Sequence, residues 1–406
     1  MSGTASVPVL GAAMRSVCRE LAGADDGRVL QVLRYVDGLP DRGQADGLLA
    51  PLRDRLRRLR PPRPLRFARL LFLPLDPVIV AARDWRAGAP QLPRSAIAPI
   101  LALVRRALPE CVPAIEAIIN DEGRSEASRI HDGGAMLWAP AAALLRCAPM
   151  PPEWRDAALP AAAFRTLAAG CARCLGSADL LADLSDPGML PADLDRALAF
   201  QIKAAEADGP IAWGMFLSVI LQRFPSAEAP HRAAMAVRAD RALRQSAEAA
   251  LEAAWTWIEE AAADRSVGDP AEAAAALRRQ VGLLEALLRE PRQRRRAAGL
   301  QAELRAACAH RLDALAQERL VAPLARLSAA EAEDDVVLAV LESDARALRQ
   351  LDAEGRRLGS GAGCEAPLVA AAAAVWARAD MAPMDRARLV EILLGPKAAL
   401  AEAAQR

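Results

Sequence analysis

Strand formers are scarce in this chain. Aromatic residues make up 3% of it, with a single tyrosine, and runs of β-branched residues are short. No stretch alternates apolar and polar residues at the period of two that a half-buried strand requires. A sizeable sheet is therefore not expected. Lysine is almost missing as well: Lys203 and Lys397 stand against fifty arginines. Arginine and alanine codons are GC-rich, so a GC-rich bacterial genome explains the bias without any appeal to guanidinium chemistry. Long apolar runs are also absent. The charge-free stretches Gly133–Leu145, Gly209–Gln222 and Ala366–Ala377 all fall short of the roughly 20 residues that cross a bilayer. The start, Met1 to Ser6, has neither the positive charge nor the apolar run of a signal peptide. Seven cysteines, an odd number without framework spacing, suit a reducing cytoplasm rather than a disulfide scaffold.

What remains is alanine, leucine and charge. Hydrophobic residues are 53% of the chain, enough to build cores, and the two commonest are strong helix formers. The expected fold is all-α. With 52 basic and 51 acidic side chains the net charge is +1, so attraction to nucleic acid or membrane has to come from local clusters. A chain of 406 residues exceeds one ordinary core. Its breaks suggest N-terminal helices over 1–60, a central irregular helical domain over 61–232, a long-helix antiparallel bundle over 233–354 and a closing helix pair over 355–406. The central part is a candidate for a short solenoid, although no fixed repeat period is visible.

Several details are specific enough to check. Pro74-Leu75-Asp76-Pro77 and the Gly88, Pro90 and Pro93 loop around Trp85 read as a packed, specified segment, followed by Ser95 as N-cap of the next helix. Pro140 is expected to interrupt or kink an apolar helix. Gly209-Pro210 opens a helix that is apolar nearly all round, and so central and buried. In the C-terminal part, Leu277, Val281, Leu284 and Leu288 form one stripe, and Leu300, Leu304, Cys308, Leu312 and Leu315 another. Val336, Val340, Leu341, Leu348 and Leu351 form the last of these stripes. Glycines 355, 359, 361 and 363 read as a flexible link.

Catalytic signatures are few. Cys171 and Cys174 form the only CxxC, set in a helical context without further zinc ligands, and read as a buried structural pair. His131, His231 and His310 share no ligand spacing, and neither a phosphate loop nor a nucleophile elbow occurs. The acids from Glu331 to Asp335 miss the spacing of a magnesium motif and suit the first turn of a helix. No catalytic residue, cofactor or metal is assigned.

The strongest surface signal is a run of arginines, Arg53, Arg55, Arg57, Arg58, Arg60, Arg63, Arg66 and Arg69, opposed locally only by Asp54. Phe67, Leu70, Leu71 and Phe72 follow it. A second group, Arg289 to Arg296, lies where one helix hands over to the next. Such a surface suits contact with anionic lipid, nucleic acid or an acidic protein, or else paired and solvated helix faces. The residues singled out for interaction are Arg57, Arg58, Arg60, Arg63, Arg66, Arg69, Trp85 and Arg94. The expectation is a non-enzymatic cytoplasmic scaffold, adaptor or regulator whose partner is another protein. Binding of anionic lipid or nucleic acid through Arg53–Arg69 is the first alternative. A helical enzyme with a site assembled from scattered residues is the second.

Overall fold

The computed structural model describes residues 65–121, 123–178, 191–223, 231–232, 240–264, 268–328, 334–359 and 365–397. The expected helices of residues 1–60 lie outside them. The fold is all-α, with almost no strand. The only sheet among the described residues is a two-residue parallel pairing, β1 (Ile79–Val80) with β2 (Leu92–Pro93). It closes the Pro74–Arg94 segment that the sequence marks as specified.

The first half contains α1 (Phe67–Phe72), then a 3-10 turn over Leu73–Val78, and after the sheet α2 (Ile97–Ala107) and α3 (Cys111–Ile119). There follow α4 (Glu126–Cys147), α5 (Ala161–Gly176), α6 (Pro191–Ala205) and α7 (Pro210–Arg223). Ser95 does not cap α2. It lies inside a 3-10 turn, Arg94–Ala96, which leads straight into the helix with no side-chain cap. Nor does Pro140 interrupt α4, which continues to Cys147 and is started by Ser125 accepting from the Ser128 amide.

Helix α7 is the centre. Every residue from Ala212 to Gln222 is buried, so no face is left for water. Gly209, at a φ of 93°, turns the chain into Pro210, whose fixed φ and missing N–H suit a first helical position. Gly214 lets α7 approach its neighbours closely: a Cβ there would lie 2.7 Å from Pro90 and 2.9 Å from Ser246. Trp213 is fully buried and donates through Nε1 to the Ile202 carbonyl at 3.1 Å. Around α7 pack α5, the Leu73–Val78 turn, α8 (Arg241–Ala263) and α9 (Pro270–Leu288).

The remaining helices continue outward: α10 (Arg294–Ala316), the short α11 (Ala322–Arg326), α12 (Asp335–Arg357), α13 (Glu365–Trp376) and α14 (Pro383–Leu394). Asp240, Asp269 and Asp334 cap α8, α9 and α12 by accepting from backbone amides of the first turn. Between α10 and α11 the chain widens into a π-turn, Gln317–Val321. Pro323 follows it; its ring crowds the carbonyl four residues back, and the wider turn makes room.

The leucine stripes of α9 and α10 are buried as expected, apart from a half-buried Leu288. The start of the α12 stripe is not. Val336 is 72% and Val340 57% exposed, and the buried face instead carries Leu338, Leu341, Ala345, Leu348, Leu351 and Asp352. At 100° per residue, Val336 and Val340 stand far round the helix from Leu338. Gly355 is likewise no linker: it is buried near the end of α12. Gly359, at a φ of 116°, does turn the chain after the helix. Residues 65–265 and 269–406 belong to one compact unit.

Candidate functional site: an arginine-lined cleft

Helix α7 ends on Gln222 and Arg223, where the helix dipole favours a cation. Both reach the proline-rich turn before β1. Gln222 Nε2 donates to the Pro77 carbonyl at 3.5 Å, and an Arg223 Nη donates to the Leu73 carbonyl. A 3-10 turn with prolines at 74 and 77 has few amides of its own, and its carbonyls are left for such partners.

Beside this junction opens a cleft of about 520 Å³, within the range of small-molecule sites. Its polar walls are Asp76, Gln222, Arg223 and, from α9, Arg279. Its flat apolar walls are Trp138 and Ile130 of α4 and Trp257 of α8. Trp138 is held in place by its Nε1, which donates to the Leu70 carbonyl at 2.9 Å.

The electrostatics are lopsided. Burial pushes the Arg223 guanidinium below its ordinary value, against the pull of Asp76 and Cys174. Burial does the same at Arg279, and the like charge of Arg223 adds to it. The buried Nε–H of each arginine has no acceptor. Asp76 stands at the water-facing mouth and forms no ion pair with another of the described residues. Its carboxyl is raised above the ordinary value by burial, against the opposing charges of Arg223, Arg69 and Arg94. Among the described lining residues there are thus two guanidiniums and a single carboxylate, which is itself harder to ionise than usual. Planar guanidinium forks match the oxygens of carboxylates and phosphates, which is the chemistry such a lining offers.

The residues singled out from the sequence are only partly gathered here. Arg57, Arg58, Arg60 and Arg63 lie outside the described residues. Arg66 is exposed at the start of α1 without a capping bond. Arg69 is paired with Glu126 at 3.0 Å, and its charge reaches Asp76. Arg94 is exposed and also bears on Asp76. Trp85 lies in the loop between β1 and β2, half-buried with an unbonded Nε1, and does not line the cleft. Arg223, Arg279 and Trp257 were not picked out, because the signal that unites them is tertiary. The one local hint is that a wholly apolar helix ends on Gln-Arg.

Cys171 and Cys174 are fully buried on α5, and burial pushes the Cys171 thiol up to about 12 and raises the Cys174 thiol well above its ordinary value. No group of three His, Cys, Asp or Glu residues within metal-holding reach exists among the described residues. In the second arginine group, Arg296 bridges Glu252 and Glu259 at 2.8 Å each and stacks 4.7 Å above the Trp255 ring. A second cavity of about 330 Å³ at the start of α7 has one charged lining residue, Asp208, already engaged by Arg173. No helix among the described residues is long and apolar enough to cross a membrane.

Fold and cleft together define a class: an all-α protein with an arginine-lined cleft between its central helix and a proline-rich turn. Compared with known proteins, the chain matches no family model, no curated protein and no solved structure.

Proposed function

We propose that this chain is a non-enzymatic helical binding protein, a scaffold, adaptor or regulator, and that its cleft holds an acidic group of another macromolecule. The observation that carries the reading is the pair Arg223 and Arg279 in the lining of one cleft, where their like charges act on each other and Arg279 has no ion pair among the described residues. A half-buried guanidinium without a counter-charge is costly, and an external anion would supply one to Arg279. The expected partner is a protein, and the expected compartment a bacterial cytoplasm, in keeping with free Cys111, Cys147, Cys171, Cys174 and Cys308.

The test is a pair of neutralised variants, Arg223→Gln and Arg279→Gln. Partners recovered on the immobilised wild-type protein should be lost from both, and a short polyglutamate peptide should compete them off the wild type. Circular dichroism should stay helical throughout. Equal recovery on wild type and variants would overturn the reading. The alternative is binding of an anionic surface through Arg53–Arg69, of which Arg69 is paired with Glu126 and Arg53 to Arg63 lie outside the described residues.

A further inference from the structure

The second cavity lies at the opposite end of α7 from the arginine-lined cleft. Of its lining residues, five in succession, Asp208 to Ala212, come from the start of that helix. We infer that this cavity is a binding site for the anionic oxygens of a small molecule.

The first observation is a helix start without a cap. Helix α7 runs for 14 residues. Gly209 before it has no side chain to offer, and Pro210 has no N–H. The first bond within the helix is that of the Trp213 amide to the Gly209 carbonyl, at 3.0 Å. The amides of Ile211 and Ala212 are thus left without an acceptor among the described residues. Amides of a first turn point back along the axis, toward the end where the cavity lies. The helix dipole adds a partial positive charge at the same place. Asp208 does not cap the turn, because its carboxylate is held by Arg173 of α5.

The second observation is independent of the first and comes from α8. Ser246 lines the cavity and is only 6% exposed. A buried serine within a helix commonly returns its hydroxyl to the carbonyl four residues back, as Ser218 of α7 does to Gly214 at 2.9 Å. Ser246 does not. Its hydroxyl forms no hydrogen bond with any described residue, and a buried hydroxyl left so is costly. Gly214 lets α8 bring Ser246 up to α7, since a Cβ there would lie 2.9 Å from the Ser246 Cβ. Two amides of α7 and one hydroxyl of α8 are therefore available at a single cavity. All three donate to oxygen, and the dipole favours an oxygen that carries negative charge. Pro90, Ala242 and Ala249 wall the rest with small side chains, so about 330 Å³ is open to the molecule that bears the group. Carboxylate and phosphate share this chemistry.

The experiment titrates the full chain with acetate, inorganic phosphate and acetamide, the neutral counterpart of acetate, at pH 7.5 and matched ionic strength. Binding is read by calorimetry and by the rise in melting temperature that a ligand of the native state produces. Acetate or phosphate should bind, and acetamide should not. Arg279→Gln, which alters the other cleft, should leave that binding in place. Ser246→Ala should weaken it about tenfold, the loss of one hydrogen bond to a charged group. The same change should not lower the melting temperature of the ligand-free protein, because it breaks no bond within the fold. Ala249→Met, which fills the cavity from α8, should abolish binding while circular dichroism stays helical. Acetate stronger than phosphate points to a small carboxylic acid, and the reverse to a phosphate ester; both support the inference. Acetamide binding as well as acetate would overturn it. So would binding that survives Ser246→Ala and Ala249→Met but is lost in Arg279→Gln, which would move the anion to the other cleft. Absence of binding by every probe would overturn it as well.

Discussion

Asp76 illustrates how one residue in this molecule couples stability to pH. Its carboxyl is raised above the ordinary 3.8, with burial as the largest cause. The native state therefore holds the proton more tightly than the unfolded chain. That contribution is fully present below the unfolded value and is lost as pH rises through the raised native one. Asp76→Asn should raise the melting temperature at pH 7, and the gain should vanish below pH 3.8, where both states are protonated. A gain that persists in acid would assign it to something other than ionisation. The cysteines give a second test. Cys171 and Cys174 are buried and their thiols are pushed up, whereas Cys147 is exposed on α4. Since the thiolate is the reactive form, iodoacetamide at pH 8 should label Cys147 in the native protein. It should reach Cys171 and Cys174 only after unfolding, as peptide mass spectrometry would show. Early labelling of the pair would mean that α5 opens locally.

Among the elements, α7 and α12 show what surface patterning does and does not reveal. A helix apolar on every side has one stable place, the interior, and α7 lies there. Trp213→Ala should cost about 3–5 kcal/mol for so large a buried ring, and more than a surface change because it also orphans the Ile202 carbonyl. An unchanged unfolding midpoint in urea would contradict the burial of Trp213. On α12 the mixture of alanine, valine and charge leaves two readings of the inner face, and Val336 and Val340 turn outward. Val336→Thr together with Val340→Thr should alter stability by less than about 0.5 kcal/mol each, as exposed positions do. Leu341→Ala and Leu348→Ala, on the buried face, should each cost about 2–5 kcal/mol. The reverse order of these effects would return the stripe to its sequence-based position.

For the molecule as a whole, all seven tryptophans lie between residues 85 and 376, inside the compact unit of residues 65–265 and 269–406. Tryptophan fluorescence thus reports on that unit alone. A single cooperative transition is expected on heating, as contiguous packing from α4 through α7 to α12 implies. Two separated transitions would mark the sequence-based boundaries at 232 or 354 as thermodynamic ones.

Read without its tertiary structure, the chain already determines that it is helical. Helix propensity, apolar spacing at three and four residues, capping aspartates and N1 prolines are local quantities, and they agree with one another from residue to residue. They also place α7 inside and both CxxC cysteines on a buried face. Nothing local decides which helix lies beside which. Arg223 and Arg279 are 56 positions apart in the sequence, and Asp76 stands in a turn far from both. Their meeting depends on Gly214 admitting Pro90 and Ser246, and on the bonds from Gln222 and Arg223 to the carbonyls of Pro77 and Leu73. In the sequence the longest arginine run stands out and these two do not, because spacing along a chain records charge density but not which charges the fold brings together.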